Sequence, residues 1–476
     1  MGAGNLCAVS LSTPLRRSKP RRRGELGLLF VGGVTVLFAT VLESLAKTNK
    51  LPRHALEFIV ALIVISIAVQ VANRRLVPDA DPLLLPVALM LNGIGYVEIE
   101  RIDPAAAGQQ LAWTALGLAV YIGVLLWVRR SRDLERYRYL LLVIAFFMLI
   151  APLLPVLGST PANQLGEKLW IAFHGISFQP VEIAKLLVVI FFASYLIEKR
   201  ELLTIPTRRI GNHLLPDLRA FGPITIAAAI SMGVILLEHD IGFSLILFTV
   251  FLTMVWVTTG RWTYLVIGAV MFALAAFIAA HVLGQVHGRI EAWLDPWKYA
   301  SSVGYQPIQG ELAFGRGGLF GSGIGLGLGG AINPATGTTN IPVATSDFIF
   351  AVIGEELGLI GTAAIVVSFL LLVAGGIRAA IRARSEFAKL VAIGLTATLG
   401  FQTFFIMAGV LRLLPLTGVT LPFVSYGGSS LIANYALLAL LMRISNEGNQ
   451  PSPTAPTSTP ATSSTSGAAR IGAGSR

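Results

Sequence analysis

Apolar and polar residues along this chain segregate into long blocks, with neither the strict alternation of strands nor the short repeats of surface helices. Apolar runs of roughly twenty residues, enough for a helix to cross a bilayer, lie near Leu26–Ala46, Ala55–Ala72, Pro82–Val97, Leu111–Val128, Tyr139–Leu157 and Pro180–Ile197. Others follow near Phe221–Leu237, Ile241–Thr258, Tyr264–Leu283, Phe348–Gly376, Leu390–Val410 and Tyr426–Ile444. The pattern predicts an all-α fold, a polytopic integral membrane bundle of about twelve transmembrane helices. The first run is too long for a cleaved signal peptide, and no small-x-small site follows it.

Composition agrees. The 476 residues are 54% hydrophobic and 13% charged, with mean hydropathy +0.74, whereas soluble domains carry about 25% charged residues. The net charge of +11 is informative through its distribution. "RRSKPRRR" precedes the first run, and "NRRL", "RRSRDLERYR", "EKREL", "TGRW" and "RAAIRARSEFAK" follow even-numbered runs. The positive-inside rule makes that side cytoplasmic; the basic loop "KTNKLPRH" is outvoted. The charge therefore marks orientation, and no nucleic-acid partner is expected. Cys7 is the single cysteine, so neither an intrachain disulfide nor a cysteine metal site is possible.

With this topology the polar segments gather outside: "LEHDIG" (Leu237–Gly242), residues 158–179, the loop 284–346 and "RLLPLTGVTLP" (Arg412–Pro422). Carboxylates at the edge of an apolar layer are costly unless paired. Glu182 and Lys185 stand three apart in "QPVEIAKLL"; Glu238 and Asp240 share a tight turn; Asp347, Glu355 and Glu356 fall in "SDFIFAVIGEELG". Glu182–Lys185 reads either as an i,i+3 ion pair stabilising a helix end or as part of a polar cleft. Asp347 reads as a helix cap with Ser346 or as a second wall of that cleft. We expect Glu182, Lys185, Asp240 and Asp347 to share one outward cleft. The glycines of "FGRGGLFGSGIGLGLGGAINP" (Phe314–Pro334) lack the Gly-Lys-Ser/Thr of a nucleotide loop. They predict a flexible or re-entrant segment, whose amides could face an anion.

Five stretches in order, "FQPVEIAKLLVVIFFASYL", "LEHDIGFSLIL", "RIEAWLDPW…GYQPIQGELAFGRGGLFGSGIG", "TSDFIFAVIGEELGLIG" and "LPLTGVTLPFVSYGGSSLIANY", resemble the SEDS proteins of RodA and FtsW type. The resemblance covers about residues 82–446 and is closest to actinobacterial RodA-like chains. It implies a ten-helix core over 82–446 with the external loop 284–346. Two additional helices fall in 26–81, a basic cytoplasmic segment in 1–25, and a disordered cytoplasmic tail in 447–476. It further implies a peptidoglycan glycosyltransferase of the bacterial cytoplasmic membrane that polymerises lipid II at the outer face, partnered by a class B penicillin-binding protein and surrounded by membrane lipids.

Such chemistry needs a carboxylate to take the acceptor hydroxyl's proton and cations or amides to stabilise the departing diphosphate. Lys185, Arg289, Arg316 and the glycine amides are candidates for the second role. The expected substrate-binding set is Trp113, Glu182, Lys185, Glu238, Asp240, Arg289, Gln306, Gln309 and Asp347. No metal site is expected; magnesium or manganese is the one cofactor left open. In the family an Asp-Pro pair precedes Gly-Tyr-Gln by a fixed spacing, and its aspartate is the implied catalytic residue. Aligned without gaps, Tyr299 holds that position, whereas a gap slides Asp295–Pro296 onto the pair; Asp295, one helical turn before Tyr299, is the expected catalytic substitute or else the cap of a short helix starting at Pro296. Two further readings stand beside polymerisation. One is an impaired scaffold binding lipid II and a penicillin-binding protein; the other is a lipid-precursor flippase, although no repeated halves are seen.

Overall fold

A computed structural model of the chain describes residues 22–48, 55–154, 158–159, 170–173, 176–201, 208–210, 213–215, 233, 241–282, 284–331 and 339–450. Its helices longer than one turn are α1 (Arg22–Thr48), α2 (Ala55–Leu76), α3 (Leu84–Ile102), α4 (Pro104–Trp127), α5 (Arg138–Ile150), α6 (Val181–Glu198), α7 (Ile241–Thr259), α8 (Thr263–Val282), α9 (Gly284–Leu294), α10 (Tyr305–Gly317), α11 (Ile349–Arg382), α12 (Glu386–Val410) and α13 (Gly428–Asn449). Eleven of the expected spans are thus helices; the run Phe221–Leu237, apart from Gly233, lies outside the described residues. Residues 1–21 and most of the expected tail, 451–476, lie outside them as well. Gly158–Ser159, Trp170–Phe173 and Ile176–Phe178 form a small antiparallel sheet, with Ile171 opposite Phe178.

By length and composition, six described helices are apolar enough to cross a membrane, α11, α12 and α13 among them. Two boundaries differ from the apolar pattern. Helix α5 stops at Ile150 and tightens into a 3-10 turn at Ala151–Leu153, because Pro152 has no N–H to continue the helical ladder. Helix α3 runs past the apolar run ending at Val97 to Ile102, carrying Glu98 and Arg101 with it, because Arg101 pairs with Glu356 of α11 and with Glu98 one turn before it.

Helix α13 is the axis: nearly every side chain is buried, and it packs on α4, α11, α12, α6 and α3. Its C-terminal turns lock one end of the bundle. Arg443 donates to the C-terminal carbonyls of Leu76, at 3.0 Å, and Leu125, groups that a helix end leaves without an internal partner. Asn446 Oδ1 accepts from Asp79 N at 2.7 Å, and Glu447 accepts from Ser131 N and Oγ at 2.8 and 2.6 Å.

At the other end, where α4, α6, α7, α11 and α13 begin, the glycine-rich segment wraps two buried carboxylates. Helix α11 is broken at Gly358, whose φ of +65° and ψ of −165° suit glycine alone. The backbone groups freed by the break are taken up by the turn after α10. Ser322 N and Gly323 N donate to the carbonyls of Glu355 and Glu356 at 2.9 and 3.0 Å. In return, Leu359 N and Ile360 N donate to Gly318 and Leu319 carbonyls at 2.9 and 3.2 Å. The side chains follow. Glu355 accepts from Leu328 N at 3.0 Å and Gly329 N at 2.7 Å and pairs with Arg316 Nε at 2.6 Å. Glu356 accepts from Gly325 N at 2.6 Å and pairs with Arg101 Nη2 of α3 at 2.6 Å.

Both carboxylates are almost fully buried, so removing a partner leaves an uncompensated charge. Arg101→Met should therefore lose about 3–5 kcal/mol of stability, seen as a lowered unfolding temperature of the detergent-solubilised protein; an unchanged transition would show that the pair does not hold α3 to α11.

Candidate functional site

The starts of α4, α6, α7 and α13, the helix α9 and the segment before α11 enclose a cavity of about 1090 Å³. Trp113, Leu116, Phe243 and Val419 supply apolar wall, while Gln179, Glu182, Gln285, Arg289 and Asp347 supply polar groups. Ser429 and Ser430 open α13 at the same wall. A smaller cavity of about 320 Å³ adjoins it, sharing Gln285, Arg289, Asp347 and Gly418 and adding Trp293, Gln306 and Arg412.

Each wall is fixed by local chemistry. Pro104 at the first position of α4 and Asp103, which accepts from Ala105 N and Ala106 N at 2.9 and 3.1 Å, set where α4 begins. Trp113 stands two turns on, its ring filling the space that Gly428 leaves open; a Cβ on that glycine would lie 2.3 Å from the indole. Asp347 is placed by two elements tied together. Tyr426 N donates to Thr345 O at 2.9 Å, and Ser425 Oγ to Ser346 O at 2.6 Å. Val343, also on the cavity wall, takes φ of +56°, a strained conformation for a β-branched residue.

Electrostatically the cavity is divided. Lys185 is buried behind Glu182, its Nζ donating to Glu182 Oε2 at 2.5 Å and to Gln402 Oε1 at 2.7 Å, above the ring of Phe243. Gln402 Nε2 in turn donates to Thr420 O at 2.9 Å. Arg289, by contrast, reaches the cavity with one hydrogen bond, to Thr417 O at 3.3 Å, and among the described residues no carboxylate pairs with it.

Of the expected set, Trp113, Glu182, Arg289 and Asp347 come together on the large cavity. Gln306 lines the smaller one, donating to Pro342 O at 3.1 Å. Lys185 acts behind the wall, and Gln309 lines neither cavity. Glu238 and Asp240 lie outside the described residues. Arg316 and the glycine amides, candidates for a diphosphate, are engaged by Glu355 and Glu356 instead. Asp295 is exposed, accepts from Lys298 N at 3.4 Å and caps the short helix Pro296–Tyr299, outside both linings. Tyr299 folds back on α9, its hydroxyl donating to Glu291 at 2.6 Å. Gln402 escaped the sequence reading, although a lone amide in the apolar run Leu390–Val410 signals a buried polar contact. Among the described residues no three His, Cys, Asp or Glu side chains are placed to hold a metal ion.

Residues 83–450 match the family described as "Cell cycle protein", the FtsW/RodA/SpoVE family. The chain belongs to that family. Its relatives include the peptidoglycan glycosyltransferase RodA of Mycobacterium tuberculosis, 39% identical over 448 residues with 92% of each chain covered. The RodA of Mycobacterium leprae is 38% identical, with 92% of this chain and 93% of the relative covered. A probable peptidoglycan glycosyltransferase FtsW from Geobacter is 31% identical, covering 78% of this chain and 98% of the relative. Among solved structures, the fold matches a chain of a peptidoglycan synthase complex, with TM-score 0.61, 23% identity and 78% of this chain and 99% of that one covered. It also matches the rod shape determining protein RodA of Thermus thermophilus, with TM-score 0.54, 25% identity and coverage of 78% and 98%. This FtsW/RodA/SpoVE member is accordingly a multi-pass protein of the cytoplasmic membrane.

Two measurements test the site's electrostatics. Lys185→Met should destabilise the protein by about 3–5 kcal/mol by stranding Glu182, and adding Glu182→Gln should recover much of that loss; equal instability of both variants would deny the pairing. The hydrogen bond to Glu291 holds the Tyr299 hydroxyl above the ordinary tyrosine value of 10.0, with desolvation adding in the same direction. A raised folded-state value means that this contact stabilises fully below pH 10 and is lost as pH rises through the folded value. Difference absorbance between the native protein and Tyr299→Phe should show a phenol titrating above 10.0; a midpoint at or below it would refute the contact.

Proposed function

We propose that the protein is a peptidoglycan glycosyltransferase that polymerises lipid II at the outer face of the cytoplasmic membrane in company with a class B penicillin-binding protein. The observation that carries this reading is the large cavity, in which an apolar wall for a polyprenyl chain meets Arg289, Asp347 and Glu182. A lipid-linked diphosphate sugar needs such an amphipathic chamber, with the tail kept in the membrane and the headgroup among polar side chains. Membership of a family whose relatives are named peptidoglycan glycosyltransferases supports it, as does the fold shared with a chain of a peptidoglycan synthase complex.

Arg289 is assigned to the diphosphate, because it faces the cavity without a carboxylate partner among the described residues. Asp347 is assigned to the acceptor's proton. Between Arg289 and Asp347, Glu291 is engaged by Tyr299 and Glu311 by Arg412 at 2.7 Å, and Glu182 is held by Lys185. Asp347 alone of these acidic residues lines both cavities. Asp295 competes for the role only if the segment 295–304 moves toward the cavity. Tyr299, standing where the family pattern implies an aspartate, favours a second reading: a scaffold that holds lipid II and its partner without turnover.

Purified protein given lipid II and the partner should yield glycan strands. Asp347→Asn should slow them about 10²–10⁴-fold and Arg289→Ala about 10²–10³-fold, while Asp295→Asn, which keeps the cap, should act near the parent rate. Loss of activity in Asp295→Asn with Asp347→Asn intact would return the base to Asp295. An inactive parent that gains polymerisation on Tyr299→Asp would establish the scaffold.

A further inference from the structure

The turn that completes the carboxylate cradle directs its apolar side chains away from the protein. Leu319 is 60% exposed and Phe320 81%. Leu326 and Leu328 of the same segment are exposed too, as are Leu359 and Ile360 on the helix to which the turn is bonded. In a soluble protein such a patch would mark a docking surface. Here its depth relative to the membrane can be worked out.

Beyond the break at Gly358, helix α11 continues to Arg382 with an exposed apolar face that includes Leu359, Ile360, Val367, Leu370 and Ile377. Near its far end Arg378 pairs with Asp81 at 2.8 Å, which marks one polar boundary. Counting back from Arg378, roughly twenty residues at ~1.5 Å each cover the ~30 Å of hydrocarbon. The second boundary therefore falls at Gly358–Leu359, and a tilt of the helix only moves it toward Ile349. The turn is bonded at that same level, through Leu359 N to Gly318 O and Ile360 N to Leu319 O. Its position along the membrane normal is fixed by backbone hydrogen bonds.

Charge agrees with depth. From Gly317 to Ser346 the sequence has no Asp, Glu, Lys, Arg or His, a run unlike any loop at the opposite end. The adjoining Arg316 is drawn to Glu355. The outward face of the turn is left with leucine, phenylalanine and glycine, and an aromatic ring at this level matches the preference of such rings for the membrane interface.

We propose that Leu319 and Phe320, with Leu326 and Leu328, form an anchor that inserts into the acyl–headgroup boundary of the bilayer at the cavity end. The anchor holds α10 and the glycine segment at a set depth, and through the cradle it fixes the level of Asp347 relative to the lipid. It does not depend on the reaction proposed above.

Cys7 is the single cysteine, so Cys7→Ser followed by Leu319→Cys or Phe320→Cys gives labels at single positions in the full chain. Each is labelled with an environment-sensitive fluorophore and reconstituted alone in phosphatidylglycerol–phosphatidylcholine vesicles, with Leu370→Cys as a lipid-facing and Ser301→Cys as a water-facing reference. The anchor predicts blue-shifted emission at 319 and 320, strong loss to nitroxide-bearing lipids as at 370, and little loss to aqueous iodide. Emission and iodide quenching like those at 301 overturn it, and shielding from lipid and water alike, as in a contact between protein copies, overturns it too. Should Phe320→Cys fail to fold, Leu319→Cys carries the same decision.

Discussion

Carboxylates placed beside a membrane-spanning helix need compensation, and the architecture at the cavity end is arranged around that requirement. Glu98, Glu355 and Glu356 bring three carboxyl groups together, and Arg101 and Arg316 bring two guanidinium groups to them. The remaining compensation comes from the glycine-rich segment, which lends the amides of Gly325, Leu328 and Gly329. Residues with larger side chains would not fit this close wrapping: a Cβ at Gly327 would lie 2.7 Å from Glu356 Oε1. The cradle couples α3, α10 and α11 through one electrostatic joint.

The break at Gly358 belongs to the same device. An interrupted helix leaves donors and acceptors that lipid cannot satisfy, and the turn after α10 supplies their partners one for one. The same hydrogen bonds that repair the helix fix the glycine segment against α11. Carboxylate pairing and helix repair are thus two parts of one arrangement.

The cavity inherits its rigidity from neighbouring polar chains. Lys185, Glu182 and Gln402 link α6 and α12 to the Thr417–Thr420 loop, and Ser425 ties that loop to the segment bearing Asp347. What faces the chamber is consequently a small polar set, with Arg289, Asp347 and Glu182 as its charged members, beside an apolar wall of Trp113, Leu116, Phe243 and Val419. The departure at Tyr299 changes the neighbourhood of this set. Its hydroxyl holds Glu291 on α9, beside Ala292 of the smaller cavity's lining, and Glu291 itself lines neither cavity.

The sequence by itself determined the membrane class, eleven of the spans the structure describes, and the family, because a twenty-residue apolar run has one stable solution in lipid and five collinear motifs leave little freedom. It also marked Glu182, Arg289, Asp347 and Trp113, since polar residues at the ends of apolar runs must find polar company. Only the tertiary structure decided which of them face the cavity. Lys185 and Arg289 are both cations beside the same chamber, yet one is consumed by an i,i+3 partner and an amide from another helix, and the other is left open. The glycine segment reads as an anion-binding loop until the chain folds and its own carboxylates occupy the amides. Spacing along the chain shows which groups are available; whether they stay available depends on the partners that folding brings to them, from 3 residues away for Lys185 and Glu182 to 217 for Lys185 and Gln402.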